Sequence, residues 1–245
     1  MPKPNYLNIA FSLTLVLSLA PLQVYGADES NYSPGNSFTI PADEENARLE
    51  NPIFDQSASV KTHHLEHLQQ AIQLMEQGIA QADRQLLKQA EELFKNALLK
   101  NPQDAYALAY LGNCQVFRGN LTSFLPTQML TILKGFKNLE EAKKLWPMNP
   151  DILLLCAWRG LDVEVIYGRL WSSANDFSTL TQGYNGGEGW VSKEIAQQAY
   201  LGLGECLLQL GDIYGARSCW SIALTFNPEN EWGERAKERL EDTEG

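Results

Sequence analysis

Residues 84–104 read "RQLLKQAEELFKNALLKNPQD", residues 211–230 read "GDIYGARSCWSIALTFNPEN", and the two stretches carry one pattern. Ala90, Phe94, Ala97 and Pro102 are spaced 4, 3 and 5 residues apart, and Ala216, Trp220, Ala223 and Pro228 repeat those intervals. A glycine stands 12 residues before each first alanine, Gly78 in one case and Gly204 in the other. The order small, large, small, proline has a physical reading. Glycine and alanine let two antiparallel helices approach closely, and the aromatic fills the gap to the next unit. Proline ends the second helix because it lacks an N–H and its ring clashes with the preceding turn. The unit is a helical hairpin, and its recurrence predicts hairpins stacked in a row.

This series resembles the tetratricopeptide repeat, a helical hairpin of about 34 residues. The copy at about 197–230 carries Tyr200, Leu203, Gly204, Ala216, Trp220, Ala223 and Pro228 in the order of that repeat, with Gly211-Asp212 as its turn. The copy at about 71–104 has a clear second helix and a weaker first one. A third, at 105–149, opens with Leu108, Leu111, Gly112 and the turn Gly119-Asn120, but Ala142 and Pro147 close it about 11 residues late. Its second helix is therefore expected to be lengthened, or interrupted at Pro126. A degenerate copy is expected at 150–190, with Ala174 and Phe177 as packing residues of its second helix, and 231–243 reads as a polar capping helix. The resemblance covers roughly 70% of the chain and implies an all-α fold over 60–245, a right-handed α-solenoid of about four hairpins.

Upstream the composition changes. "MPKPNYLNIAFSLTLVLSLAPLQVYGADES" has Lys3 near its start, an apolar run from Ile9 to Ala20, Pro21, and small residues near Val24 and Gly26. This is the pattern of a secretory signal peptide over 1–26, with the mature chain expected to begin at Ala27. The run is shorter than the ~20 residues that a spanning helix needs, and no later stretch is long and apolar enough to span. Residues 27–59, rich in Pro, Asn, Ser and acid, read as a leader without a sustained period. A periplasmic or secreted location follows. Export permits disulfides, yet Cys114, Cys156, Cys206 and Cys219 are sparse for a disulfide framework. Cys114 and Cys206 fall two residues after Gly112 and Gly204, equivalent positions that favour packing over redox chemistry. A formal net charge of −11 argues against nucleic acid or an anionic membrane as a partner.

The string "THHLEHL", residues 62–68, holds all three histidines. His63, Glu66 and His67 match an H-x-x-E-H zinc-protease string, in which the histidines bind metal and the glutamate serves as general base. A catalytic zinc needs a third protein ligand. His64 is unsuitable because it sits ~100° around the helix from His63. With Leu65, Leu68, Ile72, Met75 and Ile79 as the buried stripe, His63 and His67 face water. A metal-dependent hydrolase is thus the alternative reading, and no cofactor, catalytic residue or metal is expected. The segment 181–190, "TQGYNGGEGW", lacks the Gly-Lys-Ser/Thr of a phosphate loop and reads as a loop between hairpins that presents Tyr184 and Trp190. There is no G-x-S-x-G nucleophile motif, and Asn31 and Asn120 fit the N-glycosylation pattern.

The repeat resemblance implies where a partner would sit. First helices of such hairpins line a concave wall that holds an extended peptide or a helix. Its register directs Tyr106, Tyr110, Asn113 and Phe117 inward from the third copy, and Gln198, Leu201 and Glu205 inward from the last, with Trp158 and Arg159 between them. Asn113 also matches the family's asparagine that grips a peptide C-terminus, although the accompanying basic residues are absent. The segment 124–160 resembles exported bacterial proteins of this family, some associated with ABC-type transport systems. The expectation is a non-enzymatic scaffold that binds a protein partner, with a small-ligand carrier as a further alternative.

Overall fold

The computed structural model describes residues 68–163, 167–187 and 189–243. The expected signal segment, the leader and the string holding His63, Glu66 and His67 lie outside the described residues. Those described form nine helices and no strand: α1 (Gln69–Ala80), α2 (Arg84–Lys100), α3 (Ala105–Asn120), α4 (Leu125–Leu145), α5 (Pro150–Leu161), α6 (Leu170–Asn185), α7 (Lys193–Gln209), α8 (Ile213–Phe226) and α9 (Glu231–Asp242).

Local chemistry sets most of these boundaries. Asp83, Asp104, Asn149, Ser192, Asp212 and Asn230 each precede a helix, and each side chain accepts hydrogen bonds from first-turn amides that have no intrahelical partner. At the other end, α2 and α8 stop at Asn101 and Asn227, both in extended conformation. Each precedes a proline, whose ring excludes the helical region for the residue before it. Gly211 adopts φ +87 in the turn between α7 and α8, a conformation open to glycine without steric cost.

Contacts between side chains give the directions. Gly112 meets Gly135 and Leu139, while Gly119, further along α3, meets Ile132, earlier in α4, so the two helices run antiparallel. Between α3 and α5 the partners advance together: Tyr106 with Asp151, then Phe117 with Arg159. The same holds for α7 and α9, through Gln197 with Asn230 and Glu205 with Arg239. Successive helices pack against each other, and the odd ones also touch in series, α1 to α3, α3 to α5, α5 to α7 and α7 to α9. The odd helices form a layer of parallel neighbours, and the even helices return antiparallel to it.

The buried core divides near α5. One cluster runs from Leu68 through Leu87, Phe94, Val116, Ile132 and Leu139 to Cys156; the other joins Leu153, Trp158, Phe177, Leu201, Trp220 and Ala236. Buried ion pairs tie helices across these clusters. Glu91 accepts from Arg118 of α3, and Asp176, on α6, accepts two hydrogen bonds from Lys143 of α4 at 2.8 and 2.9 Å. Burial works to lower the Lys143 ammonium, but attraction to Asp176 and their hydrogen bond outweigh it, so its affinity for the proton rises. Breaking such a pair strands a charge in a poorly solvated place. Arg118→Met is expected to cost about 2 kcal/mol in urea unfolding, short of the largest losses for buried pairs because Lys95 stays near Glu91.

Three details of the repeat reading are resolved or corrected. The late closure of the third copy reflects a lengthened α4 of 21 residues that Pro126 does not interrupt, since it sits in the first turn where its missing N–H is harmless. The equal Gly-to-Ala spacing in the first and last copies does not mean equal packing: Gly78 abuts Leu87, whereas Gly204 abuts Trp220. Ala82, with φ 50, and the cap Asp83 turn the chain early, and α2 is three residues longer than α8 at 17 against 14. The expected loop at 181–190 is shorter than supposed, because Thr181–Asn185 complete α6. Tyr184 lies against Phe226 at 5.2 Å, and the Trp190 ring covers Gly183, so both aromatics fold inward.

Candidate binding face

The predicted residues lie on α3, α5 and α7, and those of α3 and α5 meet at Phe117 and Arg159. On α3, Phe117 lies beneath the Arg159 guanidinium of α5 at 4.3 Å from its ring centre, and Arg159 also pairs with Asp162 at 2.7 Å. One residue before Arg159 in α5, Trp158 turns the other way. It meets Phe177 of α6 edge-on at 5.2 Å and stacks on Trp232 of α9 at 5.8 Å, with the Arg235 guanidinium 5.5 Å from its ring. Cation–π contacts of this kind strengthen where water is excluded. Burial also pulls the Arg235 guanidinium below its ordinary value.

The rest of the predicted set is spread more widely. Tyr106 is 6% exposed, packs edge-on against Trp146 at 5.3 Å, and donates its hydroxyl proton to Asp151 at 3.3 Å while accepting from Asn149 at 3.2 Å. Burial, with Asp151 beside it, pushes that phenol up to about 12. Tyr110 stacks on Phe94 at 5.9 Å. Asn113 is 4% exposed and its amide donates to the Met75 sulfur at 3.6 Å. On α7, Gln198 is half-buried and Leu201 is wholly buried. Glu205 is spent on Arg239 at 2.8 Å, so it braces α7 to α9.

Three of these residues hold polar atoms that are buried and have no hydrogen-bond partner: Asn113 Oδ1, Trp158 Nε1 and Arg159 Nε. Buried polar groups are almost always paired, because an unmade hydrogen bond forfeits the desolvation cost of the group. These atoms stand on α3 and α5 beside the aromatic and arginine cluster, while Ser173 Oγ on α6 and Trp220 Nε1 on α8 are likewise buried without a hydrogen-bond partner. The sequence reasoning missed Trp232 and Arg235. Their signal was present in "EWGERAKERL", where Trp232, Arg235 and Arg239 are spaced to share one face of a helix read only as a polar cap.

The thiols are placed for packing. All four cysteines are free and buried, and burial pushes the Cys206 thiol up to about 12 and the Cys219 thiol to about 11; Cys114 and Cys156 are also raised by burial. Cys114 donates to the Leu87 carbonyl at 3.1 Å. Among the described residues, no group of three or more His, Cys, Asp or Glu side chains is placed to hold a metal ion, and no helix is long and apolar enough to cross a membrane. A surface cleft of about 450 Å³ lies elsewhere, between Gln70, Leu93, Lys100, Asp104 and Trp146. No protein-family model matches the chain, and no curated protein matches its sequence.

Proposed function

We propose that this chain is a non-enzymatic scaffold that binds a protein partner, holding an extended peptide or a helix against the α3–α5–α9 face of a right-handed, tetratricopeptide-like array of about four hairpins. The observation that carries this reading is the trio of buried, unpartnered polar atoms on Asn113, Trp158 and Arg159 within the aromatic and arginine cluster. Aromatic and arginine side chains in desolvated settings are the usual anchors of protein interfaces. Phe117 and Arg159, both half-buried, would meet the bound segment directly, and its main-chain groups would reach the three buried atoms once the side chains covering them shift. The signal pattern at 1–26 supports export, with the chain acting in the periplasm or outside the cell, as an accessory of an envelope or transport complex.

The test begins with selection of binders from a random peptide display library on the immobilised protein, followed by affinity measurement of the selected peptides. Phe117→Ala and Arg159→Ala should each weaken binding by about 30-fold or more, as loss of an interface anchor does, with the far-ultraviolet circular dichroism unchanged. Unaltered affinity in both variants would sink the proposed face. Failure to enrich any peptide would argue for the small-ligand alternative.

A further inference from the structure

The residues that lengthen the third hairpin come to lie on the surface. α4 has 21 residues against 16 in α3, and its contact with α3 begins near Gln128, where Gly119 meets Ile132 and the Gln128 carbonyl. Residues 123–127 precede that contact and are all exposed. Phe124, Leu125, Leu130 and Leu133 are 66%, 57%, 70% and 46% exposed. Pro126, Leu130, Leu133 and Lys137 recur at intervals of 4, 3 and 4 residues, which places them on one face of the helix. The opposite face is already spent in the core, through Ile132, Gly135, Phe136 and Leu139. A contiguous exposed apolar stripe of this kind marks a contact surface, because water covers it poorly.

The stripe carries one sign of charge. No carboxylate occurs from Leu121 to Leu139. Lys134 and Lys137, one turn beyond Leu130 and Leu133, are exposed and have no ion-pair partner among the described residues. Glu141, one turn further on, is bonded to Lys144 at 2.9 Å. At the other end, the first turn of α4 holds no acid and Phe124 supplies no side-chain cap, so no side chain offsets the partial positive charge of the helix N-terminus. Positive charge thus brackets the apolar residues. The chain itself contains the complement. Residues 27–59 carry seven carboxylates against one arginine, Arg48. Within them, residues 49–55 read "LENPIFD", in which Leu49, Ile53 and Phe54 alternate with Glu50 and Asp55 at either end.

We propose that residues 49–55 of the same chain dock along the α4 stripe: Ile53 and Phe54 cover Leu130 and Leu133, Asp55 meets Lys134 and Lys137, and Glu50 lies at the N-terminus of α4. The lengths agree. Phe124 to Lys137 spans ~20 Å at about 1.5 Å per helical residue, and seven residues in extended form span ~20–23 Å. The connection is long enough. The described chain begins at Leu68, and the residues from Phe54 to there reach at most ~50 Å. α1 touches α3 and α3 packs on α4, so the crossing is two helix separations of about 8–10 Å and at most the ~24 Å length of α3. The area selects a tethered segment over a second copy. A stripe ~20 Å long and about 10 Å wide offers roughly 200 Å², well short of the ~800 Å² per partner of a stable protein interface. Tethering sets an effective concentration on the order of millimolar, so a contact too small to hold two molecules forms within one. The stripe belongs to the even layer and is separate from the α3–α5–α9 face.

The experiment is photocrosslinking of the purified chain with Leu130 replaced by p-benzoylphenylalanine, followed by mass spectrometry of the digest. Leu130 is exposed, so the helical spectrum should not change. Crosslinks should join position 130 to residues 49–55 of the same molecule, in a yield that dilution does not alter. Ile53→Ser with Phe54→Ser should lower that yield by about tenfold or more, given the apolar area returned to water. Lys134→Glu with Lys137→Glu should lower it by about two- to fivefold, the scale of exposed ion pairs. Crosslinks spread evenly over residues 27–59, no crosslink to them, or a yield indifferent to either pair of changes overturns the proposal. So do covalent dimers that increase with concentration, which would assign the stripe to a second copy.

Discussion

Trp220→Ala lowers stability by about 3–5 kcal/mol, the range for truncating a buried tryptophan. Trp220 is wholly buried, the largest such side chain in the core, and its indole fills the space that the absent side chain of Gly204 leaves between α7 and α8. Alanine leaves a cavity there that two helix backbones cannot close without sliding. In a row of stacked hairpins each unit is supported only by its neighbours, so the loss concentrates at the C-terminal end. Amide exchange should accelerate in α7, α8 and α9 well before it does in α2 and α3. Trp220→Phe separates shape from polarity: it keeps an aromatic ring against Gly204 and removes the indole N–H, which is buried and has no partner. Its cost should be less than half that of alanine in urea unfolding. Equal costs for the two variants would mean that ring packing is not what Trp220 contributes.

The second large effect is expected at the opposite end of the chemistry, where a side chain is added. A Cβ on Gly112 would stand 2.6 Å from the Gly135 carbonyl oxygen and 2.8 Å from Leu139 Cγ. Reciprocally, a Cβ on Gly135 would stand 2.7 Å from the Gly112 carbonyl oxygen. The obstacle is main chain on both sides, so no rotamer change relieves it, and α3 must part from α4. Gly112→Val is expected to cost about 3 kcal/mol, at the upper end for overpacking because branching adds bulk. Gly135→Val should behave alike. The double variant should cost less than the two together, because one separation of the helices relieves both clashes. Additive losses would show that the two glycines do not report on a single close approach.

These two sites also show how the repeat pattern was readable and where it misled. The small-large spacing predicts that Trp220 fills the gap to the next unit, whereas its indole lies against Gly204 of its own hairpin. Gly112 with Leu139 is the same pairing in the third copy, preserved across the extra residues that lengthen α4. The late Ala142 and Pro147 therefore kept their register, and Gly135 and Leu139 extend the same intervals before them. Gly78 misled because spacing along one chain does not reveal where a turn falls. Asp83 offers a helix cap three residues before α2 would otherwise have to begin, and cap chemistry moved the turn.

At the candidate face the division is similar. Aromatics and an arginine on α3 and α5 could be named from register, but register alone does not say which side chains are already spent. Leu201 is core, Glu205 is held by Arg239, and Tyr106 is engaged with Asn149 and Asp151. Conversely, Trp232 and Arg235 join Trp158 only because α9 lies beside α7 and reaches past it to α5.

The sequence by itself determined the helical class, the hairpin unit, most helix caps and the proline stops. Each depends on residues within a few positions of one another, where backbone geometry and local hydrogen bonds act directly. Only the tertiary structure decided the rest. Which polar atoms remain unpaired and which aromatics stack across α5 and α9 depend on side chains distant in sequence meeting at packed surfaces, and the order of residues along the chain does not encode those meetings locally.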